Sequence, residues 1–218
     1  MKNHYPPAQM PFFSVEPKSV HFVGVLGIGV SSLARWFIAQ KWAVSGSDAA
    51  LNPLYSELKK DGLKANIGHK KANIPHRCRL VIFSQAIKRD NPEFKDARRR
   101  NIPVLSYPEA IGELTKFYRT ICVSGMHGKS TTTAMAGLML MKAGLDPTII
   151  IGTKLKELGN KNFRAGSGRY LVLEADEYKD AFLNYSPFFA ITTNLDREHL
   201  DYFKNAERIK KSFLNFFS

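Results

Sequence analysis

The sequence predicts an α/β protein made of two successive units, each built on a mostly parallel sheet. Three observations predict it: β-rich apolar runs alternate with helix-spaced segments, two of those runs end in glycine turns that open into helices, and the cycle restarts near the middle of the chain. Such alternation forces crossover connections, and crossover helices cover both faces of a parallel sheet.

In the first unit, residues 20–26 are β-rich and end in Gly27-Ile28-Gly29, after which 32–41 (SLARWFIAQK) show helix-like apolar spacing. A short strand over 42–45 ends at Gly46-Ser47-Asp48. Helix 53–60, strand 80–83, helix 92–100 and strand 104–105 follow, then a short helix over 108–114 and a linker at Thr115-Lys116-Phe117. The second unit begins at Tyr118 with a strand to Val123, a glycine loop and a long helix over 129–143. Strand 148–151, a Gly- and Lys-rich excursion to Gly168, strands 170–173 and 188–192 and an amphipathic helix over 206–217 complete it. The expected division is a flexible leader over 1–19, a Rossmann-like domain over 20–114 and a P-loop ATPase-like domain over 118–218. The final SFLNFFS carries apolar residues that predict packing on further structure, so the second domain is expected to be incomplete.

Composition narrows the class. Of the 218 residues, 44% are hydrophobic and 23% charged, enough to bury a core. No apolar run reaches the roughly 20 residues of a spanning helix, and the N-terminal stretch lacks the apolar centre of a secretory signal. Cytoplasm is therefore the expected compartment. Cys78 and Cys122 offer neither a disulfide framework nor zinc-ligand spacing. A net charge of +13 suits anionic partners, whether nucleic acid, membrane or phosphorylated small molecules. The basic clusters at 59–60, 69–71, 98–100 and 210–211 lack aromatic interleaving, so they read as solvated helix ends and loops rather than a nucleic-acid surface.

Gly125-Met126-His127-Gly128-Lys129-Ser130 is a shortened phosphate loop. The usual spacing places a glycine where Val123 stands, so the turn relies on Gly125 and Gly128. Successive amides and the helix N-terminus can cradle phosphates, Lys129 can reach the β and γ oxygens, and the Ser130 hydroxyl suits Mg²⁺. A plain serine/threonine helix cap at Ser130 and Thr131 explains neither the lysine nor the glycine pair.

Gly27-Ile28-Gly29-Val30-Ser31-Ser32 with Asp48 downstream approaches the dinucleotide fingerprint, but Ser32 replaces the third glycine. An anion site opening a helix is favoured over bound NAD. Glu174, in Glu174-Ala175-Asp176-Glu177, directly follows a strand and stands where a metal-ligating carboxylate belongs. His199 lies in an acidic loop after the next strand; a lone histidine is more often structural, but this one comes to the same sheet edge.

In order, GMHGKSTTT, EADE and TNLDREHLDYF resemble the Mur ligases, ATP-dependent enzymes of peptidoglycan precursor synthesis. HFVGVLGIGVSSLA, VSGSD, NIGH, FSQAIKRDNPE and IPVLSYPEAIGEL resemble the branch that joins L-alanine to UDP-N-acetylmuramate. The resemblance covers nearly the whole chain from about residue 20. It implies three domains, for the UDP-sugar, for ATP and for closure over the nucleotide, of which these residues are expected to cover the first and part of the second. Residues 27–32 would cradle the UDP diphosphate, with Asp48, His69 and Ser84 around the sugar nucleotide. The ATP phosphates would fall to Gly125, Met126, His127, Gly128, Lys129, Ser130 and Thr131, with Asn194 also at the nucleotide. Ser130 and Glu174 would hold one Mg²⁺ and His199 a second, and Lys129, Glu174 and His199 would be the catalytic set.

The same family implies acyl-phosphate chemistry: the sugar carboxylate attacks the γ-phosphate of ATP, and the amine of L-alanine then displaces phosphate. Where the family usually has a further glycine pair, this chain has Val30-Ser31-Ser32; where it often has threonine, Ser130 keeps the hydroxyl. Three other readings stay open: a recycling ligase that attaches a tripeptide to the same UDP-sugar, a P-loop ATPase or kinase with a regulatory Rossmann module, and a non-catalytic UDP-sugar and ATP-binding fragment. The isolated chain is expected to bind UDP-sugar and to ligate poorly.

Overall fold

The computed structural model describes residues 16–196 and 199–217; positions 1–15 of the expected leader, and Arg197 and Glu198 of the acidic loop, lie outside them. The described chain divides into two compact units, 16–110 and 111–217, with the division inside a helix, Tyr107–Thr115.

In the first unit the order is β1 (Ser19–Val23), α1 (Ile28–Ala39), β2 (Ala43–Asp48), α2 (Leu54–Lys60), β3 (Lys64–Ile67), β4 (Leu80–Phe83), α3 (Pro92–Arg99) and β5 (Val104–Ser106), leading into α4 (Tyr107–Thr115). All five strands are parallel, in spatial order β3-β2-β1-β4-β5. The chain moves outward from β1 through β2 to β3, then crosses back to β4, so the order reverses between β1 and β4. In such sheets ligands bind in the crevice outside the strand carboxyl ends at that reversal. The core is aromatic: Phe37 meets Phe22, Trp36 and Trp42 edge-on, at centroid distances of 5.7, 5.1 and 4.9 Å. Burying side chains of this size stabilises the unit by about 1.5–3 kcal/mol each.

Helix α1 starts at Ile28, earlier than the apolar spacing predicts. Gly27 is extended (φ −69°, ψ 140°) and caps the helix, and the Ser31 amide donates to the Gly27 carbonyl at 2.8 Å. The strand correspondingly ends at Val23 rather than residue 26. Strand β3 was not expected; it is the edge strand, and no residue in Lys64–Ile67 is buried.

The second unit contains β6 (Arg119–Ser124), α5 (Lys129–Lys142), β7 (Thr148–Leu155), β8 (Lys161–Arg164), β9 (Tyr170–Glu174), β10 (Phe189–Thr192), α6 (Leu200–Phe203) and α7 (Ala206–Phe216). Its sheet runs β10-β6-β9-β7-β8, parallel except for the β7–β8 hairpin. Strand β6 lies between β9 and β10, which places the glycine loop after Ser124 between Glu174 and the Thr192–Asn194 segment. The C-terminal helix is more deeply packed than its composition suggests. Phe213 and Phe216 are buried against Phe182, at centroid distances of 5.0 and 4.5 Å, while Leu214 and Phe217 are exposed.

Between β9 and β10, Lys179 and Asp180 are consecutively left-handed (φ 55° and 57°). Such residues cost about 1–3 kcal/mol each, and the Asp180 carboxylate offsets this by accepting from Tyr202, Ser212 and Arg208. That clamp fixes the segment carrying Glu177. Among the described residues, no helix is long and apolar enough to cross a membrane.

Candidate nucleotide sites

The glycine loop of the second unit is shaped by close approach. Gly125 (φ +123°) leaves no room for a side chain: a Cβ there would meet the Thr193 hydroxyl and come within 2.9–3.0 Å of Asn194 backbone. Gly128 (φ +78°) caps α5 in a left-handed conformation. Asn194 braces the loop from outside, its Oδ1 accepting from the His127 amide at 3.0 Å and its Nδ2 donating to the His127 carbonyl at 2.8 Å. Thr193 Oγ1 donates to the same carbonyl at 2.6 Å. The expected nucleotide contact Asn194 therefore stands as a support of the loop, and the His127 amide already has an acceptor. Met126 turns its side chain into the core.

Lys129 and Ser130 open α5 beneath this loop. The Lys129 ammonium folds back, donating to the Gly125 carbonyl at 2.6 Å and the Met126 carbonyl at 3.3 Å, and pairs with Glu177 Oε1 at 3.0 Å. Ser130 Oγ donates to Glu174, 3.1 and 2.9 Å from its two oxygens, and the Gly152 amide reaches Glu174 Oε2 at 2.7 Å. Thr131 is exposed on the first turn. A hydroxyl and a carboxylate converging from α5 and β9 form a pair of hard oxygen donors of the kind Mg²⁺ takes, so these residues fit the ion.

Glu177 was not singled out in the sequence. Its side chain is fully buried, Oε1 faces both Lys129 and His199 Nε2 (3.5 Å), and Oε2 has no hydrogen-bond partner. Burial pushes its carboxyl above the usual carboxylate range, a shift the Lys129 ammonium partly offsets. His199 (φ 53°) lies with its ring 4.9 Å from that of Tyr178 and starts α6 through its carbonyl. The structure thus brings Ser130 to Glu174, and His199 to Glu177. Among the described residues, no cluster of three or more His, Cys, Asp or Glu side chains is arranged to hold a metal.

In the first unit, Gly27, Ile28 and Gly29 are accessible at the turn into α1, and a side chain at position 29 would come within 3.1 Å of the Tyr107 ring. The side chains of the other half of the expected cradle turn inward. Val30, Ser31 and Ser32 are buried within α1, and the two serine hydroxyls donate to the Ile28 and Gly29 carbonyls at 2.7 and 2.6 Å. The reason is the early helix start, which turns these positions inward. Asp48, at the end of β2, accepts from the Leu26 amide at 2.8 Å and so holds the glycine turn. Ser84 follows β4, packed so close to Gly24 that a Cβ there would lie 2.8 Å from its own. His69 follows β3, its Nδ1 3.0 Å from Ser47 Oγ. Asp48, His69, Ser84 and the turn all stand at strand carboxyl ends, on one edge of the sheet.

Beneath that edge lies a polar network with no signal in the sequence. Glu93, fully buried on α3, accepts from Ser47 Oγ (2.5 Å), Asn73 Nδ2 (2.6 Å), the Lys70 amide (3.0 Å) and His21 Nε2 (3.3 Å). Burial raises its carboxyl, but the hydrogen bonds from His21, Ser47 and Asn73 outweigh it, and the net position is below the usual range.

A sheet whose strand order reverses beside a glycine turn, followed by a glycine loop whose helix-opening serine meets a strand-end carboxylate, is an arrangement suited to nucleotide phosphates. Family comparison agrees: residues 19–119 match the catalytic domain of the Mur ligase family and residues 123–218 the Mur ligase middle domain. The chain belongs to the Mur ligase family. It is 46% identical over 199 residues to the UDP-N-acetylmuramate–L-alanine ligase of Aquifex aeolicus, covering 91% of this chain and 43% of that protein. The solved UDP-N-acetylmuramate-alanine ligase of Thermotoga maritima superposes with a TM-score of 0.84 at 30% identity, over 91% of this chain and 46% of that one. The UDP-N-acetylmuramate:L-alanyl-gamma-D-glutamyl-meso-diaminopimelate ligase of Neisseria meningitides superposes at 0.82 with 26% identity, over 91% of this chain and 67% of that one. The chain spans less than half the length of the curated relatives it matches.

Proposed function

We propose that this chain is the UDP-N-acetylmuramate- and ATP-binding part of a cytoplasmic ligase that joins L-alanine to the sugar carboxylate through an acyl phosphate, with Mg²⁺. The observation that carries the reading is the meeting of Ser130 and Glu174 at 2.9 Å beside Lys129, supported by a 46%-identical relative of that name.

A carboxylate acylates an amine poorly, because its oxide is a bad leaving group. Attack of a carboxylate oxygen on the γ-phosphorus breaks the bond to the β–γ bridging oxygen and releases ADP; the neutral amine nitrogen then bonds to the acyl carbon, and phosphate departs with the proton that nitrogen sheds. The residues here would position and neutralise. Lys129 would exchange the Gly125 and Met126 carbonyls for phosphate oxygens, and the loop amides not taken by Asn194 would add donors. Ser130 and Glu174 would hold Mg²⁺, which would supply charge neutralisation at the triphosphate. Glu177 keeps Lys129 and His199 on the same carboxylate. Across the first sheet's carboxyl edge, Gly27–Gly29, Asp48, His69 and Ser84 would receive the UDP-sugar.

The test is calorimetry of the chain against UDP-N-acetylmuramate, UDP, ATP with Mg²⁺, and NAD. Binding of the UDP-sugar and of Mg²⁺-ATP, without NAD, is expected. NAD binding alone would overturn the reading in favour of a dehydrogenase-like turn at Gly27–Gly29, and Mg²⁺-ATP binding alone in favour of a kinase or ATPase.

A further inference from the structure

The network under the first sheet assigns a chemical polarity to His69. Glu93 is held ionised by four donors, so its oxygens only accept. Ser47 Oγ, fully buried at the end of β2, donates its single proton to Glu93 Oε2 at 2.5 Å. With that proton committed, Ser47 Oγ can only accept from His69 Nδ1, 3.0 Å away. Nδ1 must then carry hydrogen, and the neutral ring leaves Nε2 as a lone pair. Nε2 has no partner among the described residues, and the side chain is 17% exposed, on the carboxyl edge that also holds the glycine turn and Asp48. The default in water is the opposite tautomer; the relay reverses it.

We infer that Glu93, acting through Ser47, is a positioning residue that locks His69 as an Nδ1–H imidazole, so that Nε2 accepts a hydrogen bond from an N–H or O–H of the bound nucleoside. This rests on the UDP-sugar reading of that edge and deepens it. It requires a ligand with a donor facing His69, and uridine offers two kinds, the base N3–H and the ribose hydroxyls. A hydrogen-bonding site rejects ligands that lack the matching group more strongly than an apolar one does.

The experiment has two arms on the 218-residue chain. Nitrogen-15 NMR of the unliganded chain at about pH 8, where an ordinary histidine is neutral, reads the tautomer directly: the expected result is a protonated Nδ1 and an unprotonated Nε2 on His69. In Ser47→Ala the Nδ1–H population should fall, because only the longer contact to Glu93 Oε1, at 3.7 Å, is left to favour it, while Ser47→Thr, which keeps the hydroxyl, retains the wild-type spectrum. Calorimetry with UDP-N-acetylmuramate forms the second arm. Ser47→Ala and His69→Ala should each weaken binding about tenfold, the worth of one buried hydrogen bond, and the double variant no more than His69→Ala alone, with Mg²⁺-ATP binding unchanged. An Nε2–H histidine in the wild type overturns the relay, as do additive losses in the double variant. A wild-type chain with the expected tautomer but no affinity for the UDP-sugar overturns the ligand reading and leaves the relay standing.

Discussion

At the scale of single residues, the glycine loop was legible because its geometry is local: Gly125, Gly128, Lys129 and Ser130 are neighbours in sequence, and the two glycines take the positive φ that the turn needs. Glu174 was legible from position alone, as a carboxylate ending an apolar strand. Glu177, three residues on, was missed because an acidic residue in a turn reads as solvated, whereas the Asp180 clamp buries it. The same blindness hid Glu93 on α3 and His21 on β1, whose contact spans tens of residues of sequence. Ser31 and Ser32 show the reverse case: their place in a glycine-led motif suggested a ligand, and their side chains are buried in α1, so only their backbone is left for such a role. At this scale, Lys129→Ala should weaken Mg²⁺-ATP binding by at least a hundredfold, about 3 kcal/mol for charge-assisted hydrogen bonds to phosphate, and leave UDP-sugar affinity unchanged. Equal loss of both ligands would show the lysine acting through the fold instead.

At the scale of elements, strands whose residues are buried were predicted within a few positions: β4 matches its expectation, and β9 exceeds its own by one residue, Glu174. The strands that escaped, β3 and β8, are edge strands whose sequences, KANI and KNFR, lack the apolar run that marks the opposite edges, β5 (VLS) and β10 (FAIT). The β7–β8 hairpin is held from outside by Asp146, whose carboxylate accepts from the Ser167 hydroxyl and amide and from Arg164. Those bonds, Ser167 first, lower its carboxyl to about 2. Because the folded value lies below the unfolded one, the stabilisation is present above about pH 4 and is lost as pH falls through 2. The side chain is 40% exposed, so screening reduces the contribution to about 1 kcal/mol. Asp146→Asn, which tolerates the left-handed backbone at this position, should lower the unfolding free energy at pH about 6 by that amount, with the difference from wild type fading as pH falls through about 2. A constant offset across that range would remove the carboxylate from the account.

At the scale of the whole molecule, the chain carries two parallel-rich sheets, each presenting a glycine turn at its strand carboxyl ends, and a charge of +13 suited to polyanionic ligands. Each unit also contains one buried thiol. Burial pushes Cys122 up to about 12, and Cys78 is likewise raised and donates to the Leu80 carbonyl. Neither thiol should react with a thiol-specific reagent in the native chain, and both should do so on unfolding in denaturant. Prompt labelling of either thiol under native conditions would contradict the packing of its unit.

The central claim is that Ser130 and Glu174 share a metal at the nucleotide phosphates. The most direct measurement is anomalous diffraction from crystals of the chain grown with Mn²⁺ and a non-hydrolysable ATP analogue. The account predicts a manganese peak bonded to Ser130 Oγ and linked to the Glu174 carboxylate, directly or through one water, with Lys129 moved from Gly125 onto the phosphates. Phosphates held elsewhere, or a manganese ion remote from both side chains, would contradict it.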